Sequence, residues 1–138
     1  QQFNLFPHLS ILDNCTLAPI WVKKIPKKEA EELALKQLEK VQILDQAKKF
    51  PGQLSGGQQQ RVAVVRAVAS NPALVLADEP TANLDSASSE ALLDMMSDLN
   101  RDLGVTFVFA THDGHVMERS RRLVRMVDGQ IDSDETQA

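Results

Sequence analysis

Residues 74–80 run Leu74-Val75-Leu76-Ala77-Asp78-Glu79-Pro80. Four apolar residues without a polar break meet two adjacent carboxylates and then a proline. A short apolar run bounded this way predicts a buried strand whose carboxyl end carries the acids. Asn71-Pro72 just upstream ends whatever precedes it, because the residue before proline avoids helical angles. In open parallel sheets, ligands bind beyond the carboxyl ends of the strands. Two acids placed there suit a hydrated Mg²⁺ held by the first and a water oriented or deprotonated by the second. An acid pair at a strand end also serves as a helix cap or solvated turn, so this stretch alone leaves both uses open.

Downstream, Asp85 or Ser86 is placed to cap a helix. Ala91, Leu92, Met95, Leu99 and Leu103 lie on its inner face and Gly104 is its stop. Val105 to Ala110 predicts a second buried strand, and it ends at Thr111-His112-Asp113. His112 therefore repeats the placement of Asp78 and Glu79, whereas His8 and His115 lack that support and read as structural or exposed. A short helix and a strand over Leu123–Val127 lead to an Asp128-Gly129 turn. Strands alternating with helices predict an α/β layer with a parallel sheet.

Upstream, Arg61 to Ala69 is too uniformly apolar for a surface helix and should be largely buried. Ser55 with Gln58 three residues later fits a capping box. In Leu54-Ser55-Gly56-Gly57-Gln58 the helix N-terminus offers outward N–H groups suited to a phosphate. Yet no Gly-x-x-x-x-Gly-Lys-Ser/Thr loop occurs in the sequence, so the stretch alone reads either as half of a nucleotide site or as a glycine-rich helix cap and nothing more. After Pro26, Ala30, Leu33, Ala34, Leu38, Val41 and Leu44 recur at helical spacing with Glu32 and Lys36 paired outside, and the helix should stop before Pro51-Gly52. Residues 1–25 read as loop with a short helix near Ser10–Thr16. The chain divides into residues 1–70, helical and irregular, and residues 71–138, the α/β part.

A length of 138 residues suits one domain or a piece of a larger one. Apolar residues at 43% with 25% charged give a soluble globular balance. No apolar run is long enough to cross a bilayer, and no signal-peptide pattern opens the chain. Cys15 stands alone, which excludes an internal disulfide and agrees with a reducing cytosol. A net charge of −4 gives no reason to expect a nucleic-acid partner. The chain opens on Gln1-Gln2-Phe3 and reads as truncated. Its cations are segregated: all eight lysines lie in residues 1–60 and all seven arginines in residues 61–138.

The run from Leu54 to Asp85, LSGGQQQRVAVVRAVASNPALVLADEPTANLD, closely resembles the signature-to-D-loop region of ATP-binding-cassette (ABC) transporter ATPases. The resemblance covers practically the whole chain. It implies an incomplete P-loop NTPase (RecA-like) core with parallel strands plus an ABC helical subdomain, with the Walker A part absent. Gln1 matches the Q-loop glutamine, Leu54–Gln58 the signature motif, Leu74–Asp78 the Walker B strand, Glu79 the catalytic glutamate, Ala82–Asp85 the D-loop and His112 the switch histidine. By resemblance, Asp78 holds Mg²⁺, Glu79 activates the attacking water and His112 contacts the γ-phosphate of ATP. Gln1 senses metal and water and couples them to a transmembrane permease subunit. Ser55, Gly56, Gly57 and Gln58 then serve an ATP bound to the second ATPase subunit of a head-to-tail dimer, which explains the half-site.

The same resemblance implies an ABC-type ATPase that couples hydrolysis to solute transport from the cytoplasmic face of the membrane. Residues 14–60 are similar to ATPases of polar amino-acid importers. Residues 74–86 and Thr111-His112-Asp113 are more similar to the lipoprotein-release and macrolide-export branch, so export is the alternative. The coincidence with the lysine-to-arginine switch implies a hybrid sequence. A reading of another class is a non-catalytic fragment that keeps only a docking surface. Lacking the lysine-bearing phosphate loop, the chain alone is expected to bind ATP weakly or not at all and not to turn it over. Its unpaired strand edges and uncovered apolar faces are expected to drive self-association or exchange of elements between copies.

Overall fold

In a computed structural model, which describes residues 4–137, helix starts follow the side-chain caps. Ser10 accepts the Asp13 N–H at 3.1 Å and opens α1 (Ile11–Trp21). Helix α2 (Lys27–Lys40) follows Pro26, whose fixed φ suits a helix entrance. Ser55 and Gln58 form a reciprocal capping box at the head of α3 (Gly56–Val68), with bonds of 3.2 and 3.0 Å. Asp85 accepts the Ser88 N–H at 2.7 Å and opens α4 (Ser86–Leu103), which Gly104 ends in the left-handed region at φ +69°. Short 3₁₀ turns at Leu44–Gln46 and Pro51–Gln53 link α2 to α3.

Strand β1 (Leu74–Asp78) pairs in parallel with β2 (Thr106–Ala110), in register from Leu74 opposite Thr106 to Asp78 opposite Ala110. A six-residue helix, α5 (Gly114–Arg119), leads to β3 (Arg122–Val127), which pairs antiparallel with β4 (Gln130–Thr136) as a separate ribbon. Asp128 at φ 50° and Gly129 at φ 78° make the two-residue connection, both in the left-handed region that matches strand twist. A register shift lies between Arg125 and Met126.

One hydrophobic cluster runs through α1 to α4, with Ile11, Cys15, Leu38, Val62, Val65, Leu92 and Leu99 buried. Each fully buried Val, Leu or Ile contributes roughly 1.5–3 kcal/mol. Burial pushes the Cys15 thiol up to about 12, so it stays protonated as a core side chain. Asn14, also buried, accepts the Phe6 N–H at 2.8 Å and donates to the carbonyls of Phe6, Leu9 and Ser10, which fastens the loop of residues 5–10 to α1.

The structure corrects several expectations. The first helix is longer than Ser10–Thr16 and continues through Pro19. The second stops at Lys40; Gln42 takes φ 62° there, and Leu33 and Leu44 are exposed. The ion pair on α2 joins Lys27 to Glu31 at 3.9 Å in place of Glu32 and Lys36. The two parallel strands are not buried on both faces. Val75, Ala77, Phe107 and Phe109 pack on the helical cluster, while Leu74, Leu76 and Val108 face outward, Leu76 being 76% exposed. Strand β4, rich in Asp, Ser and Glu, carries no apolar pattern to announce it. No helix among the described residues is long and apolar enough to cross a membrane.

Candidate functional site

Parallel pairing puts the two strand ends at one rim. Asp78 ends β1 opposite Ala110, and the next residue continues the link, Glu79 N–H donating to the Ala110 carbonyl at 2.8 Å. Glu79 takes φ 46°, a left-handed conformation uncommon outside glycine and asparagine, which turns its carboxylate toward the end of β2. Its Oε1 accepts the His112 N–H at 3.1 Å and lies 2.7 Å from His112 Nδ1. A carboxylate offers only lone pairs, so Nδ1 carries the proton in that contact. Its Oε2 accepts from Thr111 Oγ1 at 3.2 Å. The His112 bond, with Thr111 adding to it, holds the Glu79 carboxyl below its ordinary range. The imidazole itself is 92% exposed against 32% for the glutamate, so solvent and any ligand reach it first.

A second set of bonds fastens the two loops together. Buried Thr81 donates its hydroxyl to Asp113 Oδ2 at 2.6 Å, and Asp113 Oδ1 accepts the His115 N–H at 2.9 Å. The Asp113 N–H donates to Thr111 Oγ1 at 3.0 Å. The Thr81 bond, then the His115 N–H, holds Asp113 below the usual carboxylate range. Thr81 was not singled out in the sequence, and Thr111 and Asp113 stood there only as the neighbours of His112, without these partners. Their signal was a hydroxyl or carboxylate one or two places from each motif residue.

Ser55 and Gly56 are exposed at the start of α3, and Gln58 is turned back onto its own cap. A Cβ at Gly57 would meet Ser88 Oγ at 3.5 Å, so the α3 cap lies beside the first turn of α4, where Asp85 is the cap residue. The Ser88 N–H holds the Asp85 carboxyl below its ordinary range. Gln60 Nε2 donates to the Pro80 carbonyl at 2.9 Å and ties α3 to the turn that carries Glu79. Gln1 lies outside the described residues.

Among the described residues, no group of three carboxylate, imidazole or thiol side chains is placed to hold a metal ion. Asp78, exposed at the strand end, supplies a single hard oxygen ligand. That fits Mg²⁺, which takes one or two carboxylates and fills its shell with water and substrate phosphates. A cation held there would neutralise phosphate charge.

Known proteins share this sequence and this fold. A family profile described as ABC transporter matches residues 1–82, more than half of the chain. The chain belongs to the ABC transporter family. Over 132 residues this ABC transporter chain is 53% identical to the general L-amino acid transport ATP-binding protein AapP of Rhizobium johnstonii, covering 95% of the chain and 51% of the relative. It is also 53% identical to the glutamate/glutamine/aspartate/asparagine transport ATP-binding protein BztD of Rhodobacter capsulatus, covering 95% and 50%. The chain thus spans about half the length of the curated relatives it matches. A solved structure, the dimeric post-hydrolysis state of the ATP-binding cassette MJ0796 bound to ADP and Pi, superposes with a TM-score of 0.81 at 40% identity. It covers 99% of this ABC transporter chain and 60% of the other, so the α/β fold is part of an ABC cassette. The AapP match covers both sides of the lysine-to-arginine switch.

Proposed function

We propose that this chain is the portion of an ATP-hydrolysing ABC subunit that holds the water-activating acid, serving amino-acid uptake. One observation carries the proposal: Glu79 and His112 meet at the ends of two parallel strands, 2.7 Å apart, beside an exposed strand-end carboxylate. Asp78 is assigned the metal, Glu79 the attacking water and His112 the transferred phosphate. In this arrangement Glu79 is both the partner of His112 and the base, so a phosphate that draws the exposed imidazole away opens a place for water on Oε1 beside the His112 N–H. Ser55, Gly56, Gly57 and Gln58 are assigned to an ATP carried by a second ATPase subunit, with Asp85 in the loop between them and the acids. Gln1 is assigned the sensing of metal and water. The helical segment after Gln1, within residues 1–50, is the part that docks on a transmembrane permease subunit and sets partner choice, and residues 71–138 carry the catalytic rim. The assembly places the chain on the cytoplasmic face of the membrane. Amino acids are proposed as cargo because AapP and BztD are named for their transport.

These 138 residues alone should bind ATP weakly and not turn it over, since the β- and γ-phosphates would lack their lysine-bearing cradle. The test adds a separately expressed polypeptide carrying a Gly-x-x-x-x-Gly-Lys-Ser/Thr loop and measures Mg²⁺-dependent phosphate release. Release should appear only with both pieces and fall about 10²–10⁴-fold in Glu79→Gln, the range for losing a positioned general base. Micromolar ATP binding by the chain alone, or release indifferent to Glu79→Gln, would overturn the proposal.

A further inference from the structure

Helix α1 ends at Trp21, α2 begins at Lys27, and the two pack together, so residues 22–26 form the tip of a helical hairpin. The tip has a set shape. Val22 N–H donates to the Ala18 carbonyl at 2.9 Å, Ile25 N–H to the Pro19 carbonyl at 3.0 Å, and Lys24 holds φ 57°. Despite this order, its large apolar groups face solvent: Trp21 is 68% exposed and Val22 76%. Around them stand Lys23, Lys24, Lys27 and Lys28, all exposed, with no acid between Trp21 and Lys28. Four of the chain's 15 cationic side chains therefore sit within six residues of a molecule whose net charge is −4. Glu29, Glu31 and Glu32 bound the patch on α2, and Lys27 lies 3.9 Å from Glu31. Lys23, Lys24 and Lys28 make no ion pair among the described residues.

An indole beside a set of lysines matches the boundary between lipid headgroups and acyl chains. The ring is amphipathic and settles at that depth, while ammonium groups on long stems reach the phosphates. A purely acidic surface would satisfy the lysines and leave Trp21 and Val22 in water; an anionic bilayer satisfies both. We propose that the tip formed by residues 21–28 binds the surface of an anionic phospholipid membrane, Trp21 and Val22 entering the headgroup boundary. The proposal stands independently of the nucleotide chemistry, and within the segment proposed above to dock on the permease it gives the hairpin tip to lipid and the rest to the subunit.

Trp21 is the sole tryptophan, so its emission reports the contact directly. The chain is mixed at low salt with vesicles of phosphatidylcholine containing phosphatidylglycerol, and with phosphatidylcholine vesicles alone. Expected are a blue shift and co-sedimentation with the mixed vesicles only, both reversed by salt. Lys23→Gln with Lys24→Gln should lower partitioning about fivefold per lysine. Trp21→Ser should weaken sedimentation while leaving the circular dichroism spectrum unchanged. The proposal fails if emission and sedimentation are unchanged by mixed vesicles, or if pure phosphatidylcholine binds equally. It fails too if polyglutamate shifts the emission and vesicles do not, or if Leu76→Lys on the sheet face abolishes binding that the lysine variants retain.

Discussion

With Oε1 turned to His112 and Oε2 to Thr111, Glu79 keeps its charge to lower pH than a free glutamate. A depressed folded value means these contacts stabilise the fold above the unfolded glutamate value. That contribution disappears as pH falls through the folded one. His112→Ala should therefore move the Glu79 titration upward toward the ordinary range, as followed by carboxyl-carbon NMR; an unmoved curve would show that the contact does not form in solution. Asn14→Ala tests a different kind of residue. It strands the Phe6 N–H and the Leu9 carbonyl, leaves the Phe6 and Ser10 carbonyls with their backbone donors alone, and should cost roughly 1–3 kcal/mol in denaturant unfolding. The two differ in legibility. The placement of Asp78, Glu79 and His112 at one rim was readable because parallel neighbours bring the residues after their apolar runs to the same end of the sheet. Asn14 was not, because nothing in the mixed segment around it distinguishes a buried amide from a surface one. Thr81 and Asp113 were hidden for the same reason, since their partnership spans 32 positions.

At the level of elements, capping chemistry carried the sequence reading well. Ser55, Asp85 and Gly104 each mark a helix end that the structure contains. Ser55→Ala, which removes the acceptor for the Gln58 N–H, should lower stability by about 1 kcal/mol, measured by thermal or urea unfolding. A change indistinguishable from zero would mean that the box is idle. Strands were read less well, for a physical reason. An uninterrupted apolar run announces burial on both faces, but Leu74 and Leu76 obey only the local pattern, and the cover they call for is not supplied by the helices on the other side of the sheet. Strand β4 failed in the opposite direction. Its residues are polar because the ribbon it forms with β3 is largely exposed, so only the Asp128-Gly129 turn hinted at a hairpin.

For the whole molecule, the outward face of the parallel pair sets solution behaviour. Leu74, Leu76 and Val108 present contiguous apolar surface on adjoining strands, which soluble chains keep small. The chain should self-associate with rising concentration in sedimentation velocity, and Leu76→Lys should shift the distribution toward monomer; a wild-type monomer across the whole range would remove this expectation. The other consequence concerns movement. Because Gln60 holds the Pro80 carbonyl, the helix behind the exposed glycine-serine cap is tied to the glutamate turn. On the function proposed above, a second subunit seated on the cap would therefore rest against the same helix that holds the turn before Thr81, so docking and the posture of the acid share one hinge.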